Sequence, residues 1–343
     1  MRILLVSGSA DWSIRDVATG YHHALTKLGH DVRFFPLNNW IKFMGGAMGT
    51  HNEGAEKTIL ETVAILQLAS EKSVIDAMRH QADLVIIISG VAYHPDALWM
   101  LHDVLKIKTA LVCTESPYND SEQEYLSRGV DLITVNDKAS LDTIKHPNIM
   151  YLPHAYDPEV HYPREVGSEY QSDVFFVGTG FSYRQELLEA VDWTGVNLKV
   201  FGHWNASHLS SLQPYLTTEV LDNAETVKWY SGAKVGLNIH RNVPGYSASP
   251  RVFELAACGA HQLVDSTRPE IADLFGDSVC YFEDGYSLNQ QVRECLADPK
   301  HRERKVHDAL ERVQRHTFEA RAMELLDHLE GGVTSLRFMA KMQ

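Results

Sequence analysis

The sequence predicts an α/β protein with two doubly wound parallel-sheet domains, and three observations support this. Short apolar runs such as Leu84–Ile88 alternate with longer amphipathic segments along the chain. Solid apolar strands are typical of parallel sheets covered on both faces, and strand–helix alternation indicates βαβ units. A polar segment with two prolines, residues 156–171, interrupts the alternation, and 343 residues suit two domains better than one core.

In the first half, the pattern predicts strands at residues 2–7, 31–37, 83–89, 109–115, 132–136 and 149–153. The helices predicted between them cover residues 14–28, 53–81, 95–105, 121–128 and 138–144. The glycine- and methionine-rich segment 42–54 is predicted to be a binding loop, with an ordinary flexible connection as the alternative. We take residues 1–156 as the first domain.

After the polar segment, which we interpret as a linker, the alternation restarts. Strands are predicted at residues 173–178, 197–202, 235–240, 262–265 and 279–282. Helices are predicted at residues 183–191, 224–232, 251–258, 269–275 and 288–296, followed by two charged helices at 300–316 and 318–329. The second domain is therefore expected to cover residues 172–316. Residues 317–343 are expected to pack back toward the first domain, and ligands are expected in an interdomain cleft.

Composition argues against several classes of protein. The chain has 31 basic and 45 acidic residues, a net charge of −14. The electrostatic field of so acidic a protein disfavours binding to nucleic acid or anionic membrane. A local basic groove is compatible with this net charge. The four cysteines form no CxxC motif and are expected to be free thiols in a cytoplasmic, reducing setting. No apolar run approaches the ~20 residues that span a bilayer.

The segment 238–259 carries the strongest functional signal. It is predicted to end a buried strand, form a Gly/Pro/Ser loop and then a helix. Ser249 fits the helix N-cap, Pro250 the first turn and Gly259 the C-terminal stop. In α/β proteins ligands bind outside the carboxyl ends of strands, where this polar cluster lies. Its members are Asn238, His240, Arg241, Arg251 and Glu254.

Two small-residue turns follow strands and precede helices. The turn at residues 7–11, with Gly8, would let a ligand approach backbone N–H groups, and an unliganded tight turn is the alternative. The turn at residues 178–184 contains only the G-x-G part of a dinucleotide motif, in Gly178 and Gly180. The helix dipole disfavours a cation such as Arg184 in the first turn unless an anion lies between them. A solvated surface arginine is the alternative.

Arg251 and Glu254 are three residues apart and are expected to share a helix face. One would meet a phosphate and the other a sugar hydroxyl. His154 and Glu115 each follow a predicted strand and are candidates for catalysis, with a structural role as the alternative for each. His94 is a weaker candidate of the same kind.

Other chemistries lack their motifs. The sequence contains no HxH, HExxH or DxD motif, and its histidines and acidic residues show no compact ligand spacing. We therefore expect no metal and no resident cofactor. The GxSxG nucleophile elbow and the Walker A motif are also absent, which argues against a serine hydrolase and an ATPase.

The second half of the chain resembles the CgeB/YkvP-like group of GT-B glycosyltransferases, which are related to the retaining family-4 transferases. The resemblance rests on N-I-H-R…S-P-R-V-F-E-L-A-A-C-G-A-H-Q-L-V-D, Pro269-Glu270, Leu274-Phe275, Tyr281, Asp284 and R-H-T-F-E-A-R. In the first half it rests only on L-P-H-A-Y-D-P and the first strand. It implies two Rossmann-like domains, an N-terminal one for the acceptor and a C-terminal one for a nucleotide sugar.

The resemblance also implies roles for individual residues. Glu254 matches the glutamate that hydrogen-bonds the nucleotide ribose, and Arg251 and Arg184 match diphosphate partners. Gly178 and Gly180 match the close-approach turn. Relatives carry a second glutamate near the donor sugar at the position that Tyr246 occupies here, so His240 or Asn238 would have to supply that contact.

We therefore expect a metal-independent glycosyltransferase that moves a sugar, with retention, from a UDP-sugar to an acceptor hydroxyl. The acceptor would lie on a glycan, a surface protein or a small molecule. One alternative is a glycosyltransferase that acts on hydroxymethylated bases in DNA. Others are a non-catalytic nucleotide-sugar-binding protein and a sugar-nucleotide epimerase on the same fold.

Overall fold

The structure is a computed structural model that describes residues 1–8, 12–50, 62–204, 211–217 and 219–331. It divides into two compact units, of which the first contains Met1–Pro153 and the helix that begins at Phe318, and the second contains His154–Thr317. Each unit has one six-stranded parallel sheet with flanking helices. The predicted α/β class is therefore confirmed.

The sheet of the first unit has the strand order β2-β1-β3-β4-β5-β6. Its strands are β1 (Arg2–Ser7), β2 (Asp31–Pro36), β3 (Leu84–Ile88), β4 (Lys108–Val112), β5 (Leu132–Val135) and β6 (Ile149–Tyr151). All five residues of β3 are buried, as the solid apolar run predicts. The strand order reverses between β1 and β3, which is a topological switch point.

The helices of the first unit cover both faces of that sheet. They are α1 (Trp12–Lys27), α2 (Leu37–Thr50), α3 (Thr62–His80), α4 (Pro95–Trp99) with a π-helical extension (Met100–Val104), α5 (Asp120–Ser127), α6 (Ser140–Thr143) and the C-terminal helix (Phe318–Leu329). The last of these packs on α1, where the rings of Tyr21 and Phe318 lie 5.2 Å apart.

The prediction of a loop at residues 42–54 is wrong for residues 42–50, which belong to α2. Leu37 is buried, and Trp40 and Ile41 pack against the core of the unit. Burial of this apolar side stabilises the helix despite the glycines. Residues 51–54 of the predicted loop, and the first part of the helix predicted from residue 53, lie outside the described residues.

The sheet of the second unit has the order β12-β11-β10-β7-β8-β9. Its strands are β7 (Ser172–Val177), β8 (Leu198–Phe201), β9 (Leu216–Thr217), β10 (Ala233–Asn238), β11 (His261–Asp265) and β12 (Cys280–Phe282). The order reverses between β7 and β10, so a second switch point lies there. The two-residue strand β9 is too short to be predicted from periodicity.

The helices of the second unit are α7 (Ser182–Glu189), α8 (Asn223–Gly232), α9 (Pro250–Ala257), α10 (Pro269–Phe275), α11 (Gly285–Ala297) and α12 (Pro299–Val313). The C-terminal helix of the first unit is α13 in chain order. The segment interpreted as a linker lies in this unit, where Tyr156 and His161 are buried. No helix in the described part of the chain is long and apolar enough to cross a membrane.

Candidate functional site

The candidate site lies at the switch point of the second sheet. Strands β7 and β10 are parallel neighbours, so their carboxyl ends meet at one edge. Gly178 follows β7, and Ile239 and His240 follow β10. Helix α9 begins nearby with Ser249 as N-cap and Pro250 at its first position. Both helix-start predictions are confirmed, and Gly259 follows the helix with a φ of +77°.

Two guanidinium groups crowd against Gly178. A β-carbon on this glycine would lie 3.1 Å from Nη1 of Arg184 and 3.4 Å from Nη2 of Arg251. Both guanidinium carbons also lie 5.5 Å from the ring centre of Phe176. Glycine is thus needed here to make room for two cations, which is the arrangement expected of a site for an anion of more than one charge.

A third arginine extends the cluster. The guanidinium carbon of Arg241 lies 5.6 Å from the ring centre of Phe181, and that of Arg184 lies 5.3 Å from the same ring. Arg241 is exposed, whereas Arg184 is buried. The cluster gives a protein with a net charge of −14 a locally basic surface.

Arg184 is buried and holds main-chain carbonyl groups. Its Nε and Nη2 donate to the oxygen of Ile239 at 3.0 and 2.6 Å, and its Nη1 donates to that of Thr179 at 3.0 Å. The alternative of a solvated surface arginine is therefore wrong. These bonds join the turn after β7 to the end of β10, so Arg184 positions the backbone of the site as well as adding positive charge.

Arg251 lies in the first turn of α9 and has unused hydrogen-bonding capacity. Its Nη1 lies 3.5 Å from Oδ1 of Asn238, which also accepts from the hydroxyl of Ser249 at 3.2 Å. Among the described residues, neither the buried Nε of Arg251 nor the buried Nδ2 of Asn238 has a hydrogen-bond partner. Buried donors without partners are rare, and here two of them accompany the positive end of a helix dipole.

Glu254 lies one turn further along α9 and meets Tyr230 of α8. The Tyr230 hydroxyl donates to Oε2 of Glu254 at 3.3 Å. Burial, followed by the charge of Glu254, raises the pKa of Tyr230 well above its usual range, while Arg251 acts in the opposite direction. Tyr230 therefore stays a neutral donor that orients the Glu254 carboxylate beside the arginine.

His240 links the loop after β10 to two other elements. Its Nδ1 lies 2.9 Å from Oδ2 of Asp265, at the end of β11, and its Nε2 accepts the Ser249 N–H at 3.2 Å. Because a backbone N–H can only donate, Nε2 carries no proton and Nδ1 is the donor. Burial lowers the pKa of His240, with Asp265 opposing it. Both ring nitrogens are thus engaged, and His240 positions the start of α9. Its catalytic role stays a prediction.

The carboxylate of Asp265 is strongly stabilised in its charged form. Burial acts to raise its pKa, but hydrogen bonds from His240 and Thr267 outweigh burial and lower the pKa to about 2. The carboxylate also accepts the main-chain N–H of His240 at 2.5 Å. The sequence predicted no role in the site for Asp265, although this residue ends the run A-H-Q-L-V-D that carries the family resemblance.

The loop that ends at Ser249 is held by two buried charged residues for which the sequence predicted no role in the site. Arg268 donates to the carbonyl oxygen of Arg241 at 2.9 Å, and Glu270 accepts the N–H of Ala248 at 2.5 Å. Tyr246 is anchored on α10, where its hydroxyl donates to the carboxylate of Asp273. At the position where relatives carry the second glutamate, this protein therefore has a tyrosine that anchors the loop on α10.

Gly180 makes a close approach of a different kind. A β-carbon there would lie 2.5 Å from the ring of Trp204, and the Gly180 N–H donates to the oxygen of His203 at 2.8 Å. The space beside Gly180 is occupied by protein. The role predicted for Gly180 in contacting a ligand therefore gains no support from packing, whereas that of Gly178 does.

In the first unit, Gly8 lies at the switch point. A β-carbon there would be 2.7 Å from the oxygen of Ile88, so the glycine allows close approach to the end of β3. The rest of its turn, residues 9–11, lies outside the described residues.

Glu115 is half-buried after β4, in the first unit, and His154 is half-buried at the start of the second unit. The weaker candidate His94 instead caps α4, where its ring accepts the N–H of Asp96 at 3.3 Å.

A cavity of about 350 Å³ follows β3 and reaches α5. Its lining includes Ser89, Tyr93, Asn119 and Gln123. Ser89 and Ala92, two non-glycine residues of the lining, have φ angles of +68° and +66°. Such backbone strain is concentrated at functional sites, and the volume matches a small ligand.

Comparison with protein-family models matches residues 184–327 to the family described as glycosyl transferase-like. The match includes Arg184, Arg251 and Glu254. In a comparison with curated protein sequences, no sequence matched the chain.

The chain is similar to several solved structures over nearly its whole length. Sucrose-phosphate synthase from Thermosynechococcus elongatus gives a TM-score of 0.66 at 14% identity, over 99% of this chain and 100% of the synthase. Anabaena HepE in complex with UDP gives 0.63 at 10% identity, over 96% and 100% of the two chains. An α-glucosyltransferase in complex with UDP and a 13-mer DNA containing an HMU base gives 0.65 at 14%, over 96% and 99%.

At sequence identities of 10–14%, the structural similarity to these proteins supports a shared fold and nothing further. The chain has the GT-B fold, with two Rossmann-like domains. The family match and this fold together support an enzyme of the GT-B glycosyltransferase type.

Proposed function

We propose that the protein transfers a sugar from a nucleotide-diphosphate sugar, with UDP as the nucleotide, to an acceptor hydroxyl. The observation that carries the proposal is the buried pair of unpartnered donors, Arg251 Nε and Asn238 Nδ2, beside Gly178 at the start of α9. A diphosphate would satisfy both donors at the positive end of the helix dipole. The UDP held by Anabaena HepE is consistent with this choice of nucleotide.

In this proposal Arg251 binds the diphosphate directly, and Arg184 adds charge from a fixed position. The bond from the sugar's anomeric carbon to the diphosphate breaks through an oxocarbenium-like transition state, in which negative charge grows on the leaving group. Fixed cations and N–H groups stabilise that charge without reorganisation, which is usually the largest catalytic contribution. The CgeB-like, retaining subclass is part of the same proposal.

Glu254 is proposed to accept a hydrogen bond from a ribose hydroxyl. The carboxylate is half-buried, is oriented by Tyr230 and shares a helix face with Arg251. A ribose lies next to the diphosphate in any nucleotide, so neighbouring positions on one helix suit both groups. Charged acceptors give hydrogen bonds about twice as strong as neutral ones.

The acceptor is proposed to bind in the cavity after β3 in the first unit. Its volume of about 350 Å³ suits a sugar or a molecule of similar size. Glu115 follows the neighbouring strand β4 and is proposed to orient or deprotonate the acceptor hydroxyl. His154 is a second candidate for that role. The cytoplasmic setting expected from the cysteines stays a prediction.

The test is binding and turnover with a panel of nucleotide diphosphates and their sugars. We expect UDP to raise the melting temperature of the protein, and one UDP-sugar to be hydrolysed slowly without an acceptor. Arg251→Ala should abolish both effects. Arg304→Ala, which removes an exposed arginine of α12, is the matched control and should retain them. Absence of stabilisation by any nucleotide diphosphate would contradict the proposal.

A second candidate function is glycosylation of hydroxymethylated bases in DNA. It is favoured by the likeness to the α-glucosyltransferase bound to UDP and HMU-containing DNA, and the net charge of −14 argues against it. Incubation with UDP-glucose and a duplex containing hydroxymethylated bases decides by mass spectrometry, since transfer adds one hexose to the DNA. A non-catalytic binding protein would bind UDP but release none from any donor.

A further inference from the structure

A cluster of thiol and imidazole groups lies at the opposite end of the second sheet from the candidate site. His261 is the first residue of β11, Cys280 is the first residue of β12, and Cys295 lies on α11. One side-chain ligand atom of each residue lies within 4.8 Å of those of the other two. All of the cysteines are free thiols, so the sulfur atoms are available.

The cluster is buried and incompletely hydrogen-bonded. His261 and Cys295 are each only 2% exposed, and Cys280 is half-buried. Nε2 of His261 lies 3.2 Å from Sγ of Cys295. Nδ1 of His261 is buried and has no hydrogen-bond partner within the part of the chain that the structure describes. A buried polar group of this kind is costly unless something else satisfies it.

Two thiols and an imidazole are the ligands that zinc prefers in proteins. Tetrahedral zinc with Zn–S of about 2.3 Å and Zn–N of about 2.0 Å places its ligand atoms about 3.5–3.8 Å apart. The ligand atoms of the three residues all lie within 4.8 Å of one another, which is close to that range. Small side-chain movements would therefore complete the geometry.

His301, at the start of α12, is the candidate for a fourth ligand. Its ring lies within hydrogen-bonding reach of the Cys280 thiol. Metal ions bind cysteine as the thiolate and histidine as the neutral ring.

We propose that His261, Cys280, Cys295 and His301 bind one structural Zn²⁺ ion. On binding, each thiol that is still protonated releases its proton to solvent and the two histidines bind as neutral rings. The site then has four protein ligands and no open position, which is typical of structural zinc.

The position in the fold supports a structural role. β11 runs from His261 in the cluster to Asp265 in the candidate site, so the two sites are about 13 Å apart along one strand. Zinc there would join β11, β12, α11 and α12. The expectation of no metal came from sequence spacing, which does not reveal residues that only the strand order brings together.

The experiment uses the full chain, purified in the presence of a reductant and stripped of metal with a chelator. We expect titration with zinc alone to show a single site per chain and to raise the melting temperature. Cobalt(II) in place of zinc should give tetrahedral visible bands and a thiolate-to-metal charge-transfer band. Cys280→Ser should remove about half of that band's intensity and weaken binding about tenfold or more.

The matched control is Cys113→Ser, which removes a buried free thiol of the first unit and should leave both the metal affinity and the spectrum unchanged. His301→Ala tests the fourth ligand and should weaken zinc binding by about tenfold while keeping the charge-transfer band. A wild-type chain that binds no zinc would overturn the proposal. So would a cobalt spectrum that Cys280→Ser does not change, or a Cys280–Cys295 disulfide that persists in the reductant.

Discussion

Asp265 binds both the main chain and the ring of His240. Its carboxylate accepts the main-chain N–H at 2.5 Å and lies 2.9 Å from the ring Nδ1. The opposite ring nitrogen accepts the N–H of Ser249, the N-cap of α9. The start of the helix that carries Arg251 is therefore positioned, through a buried histidine, by a carboxylate on a neighbouring strand.

This pair makes stability depend on pH. Burial lowers the pKa of His240, so on acidification the unfolded chain takes up a proton near pH 6.5 before the folded chain does. Stability is therefore expected to fall as the pH drops below about 6.5. Asp265 adds a further loss in more acidic solution, because its pKa changes from the ordinary 3.8 to about 2 on folding.

The measurement is the melting temperature between about pH 7.5 and 5.5, the range in which an ordinary histidine titrates. The variant His240→Asn should have a lower melting temperature at neutral pH and a flatter dependence over this range. The control is His307→Asn, which replaces a histidine that is 72% exposed and should keep the wild-type dependence. If His240→Asn keeps the full dependence, the pair does not cause it.

Gly178→Ala tests the space beside the arginines. The new methyl group would lie 3.1 Å from Arg184 and 3.4 Å from Arg251, so one guanidinium must move. We expect UDP affinity, measured by calorimetry, to fall about tenfold or more, since bidentate contacts tolerate little displacement. Gly195→Ala is the control. Gly195 has a φ of +75°, and no atom lies within 4 Å of a β-carbon added there. The alanine should therefore strain the backbone and lower stability, but leave UDP affinity unchanged.

Much of the fold could be predicted because its signals are local. The apolar run of β3 and the caps of α9 are read from neighbouring residues, and both are confirmed. Local signals also caused the error at residues 42–50, where Gly45 and Gly46 favoured a loop. There, tertiary burial of Leu37 and Trp40 outweighed helix propensity.

The candidate site was predictable only in part, because strand order is a tertiary property. The residues 238–254 lie together in sequence, so their grouping was found. Asp265 and Glu270 reach the site from the next strand and helix, and periodicity does not say which strands are neighbours. Arg184 binds the main-chain carbonyl oxygen of Ile239. Every residue has such an oxygen, so the identity of the side chain does not predict this contact.

Substitution of the buried Arg184 and of the half-buried Arg251 should have different effects. Arg184→Lys loses the hydrogen bonds to Ile239 and Thr179 and should lower the free energy of unfolding by about 1–3 kcal/mol. Arg251→Lys loses a long contact with Asn238, at 3.5 Å, and weaker contacts with Phe176 and Tyr230, so it should change stability less than Arg184→Lys. It should nevertheless weaken UDP binding about tenfold, because lysine cannot bind a phosphate in a bidentate manner. Chemical denaturation and calorimetry measure the two quantities, and equal stability losses in both variants would contradict this division.

Glu254 should make binding depend on the ribose hydroxyls of the nucleotide. In the wild-type protein, a UDP analogue that lacks the ribose hydroxyls is expected to bind about tenfold to a hundredfold more weakly than UDP, because a charged acceptor loses its donor. In Glu254→Gln the penalty for the same analogue should shrink to a few-fold, since a neutral amide accepts a weaker hydrogen bond. Calorimetry with both ligands on both proteins measures the coupling.

The control is Tyr230→Phe, which keeps the Glu254 carboxylate but removes the hydroxyl that donates to it at 3.3 Å. This variant should retain most of the discrimination between UDP and the analogue, because the carboxylate stays next to Arg251 on the same helix face. If Glu254→Gln loses affinity for both ligands by the same factor, the carboxylate contributes to the charge balance of the arginine cluster and does not contact the ribose.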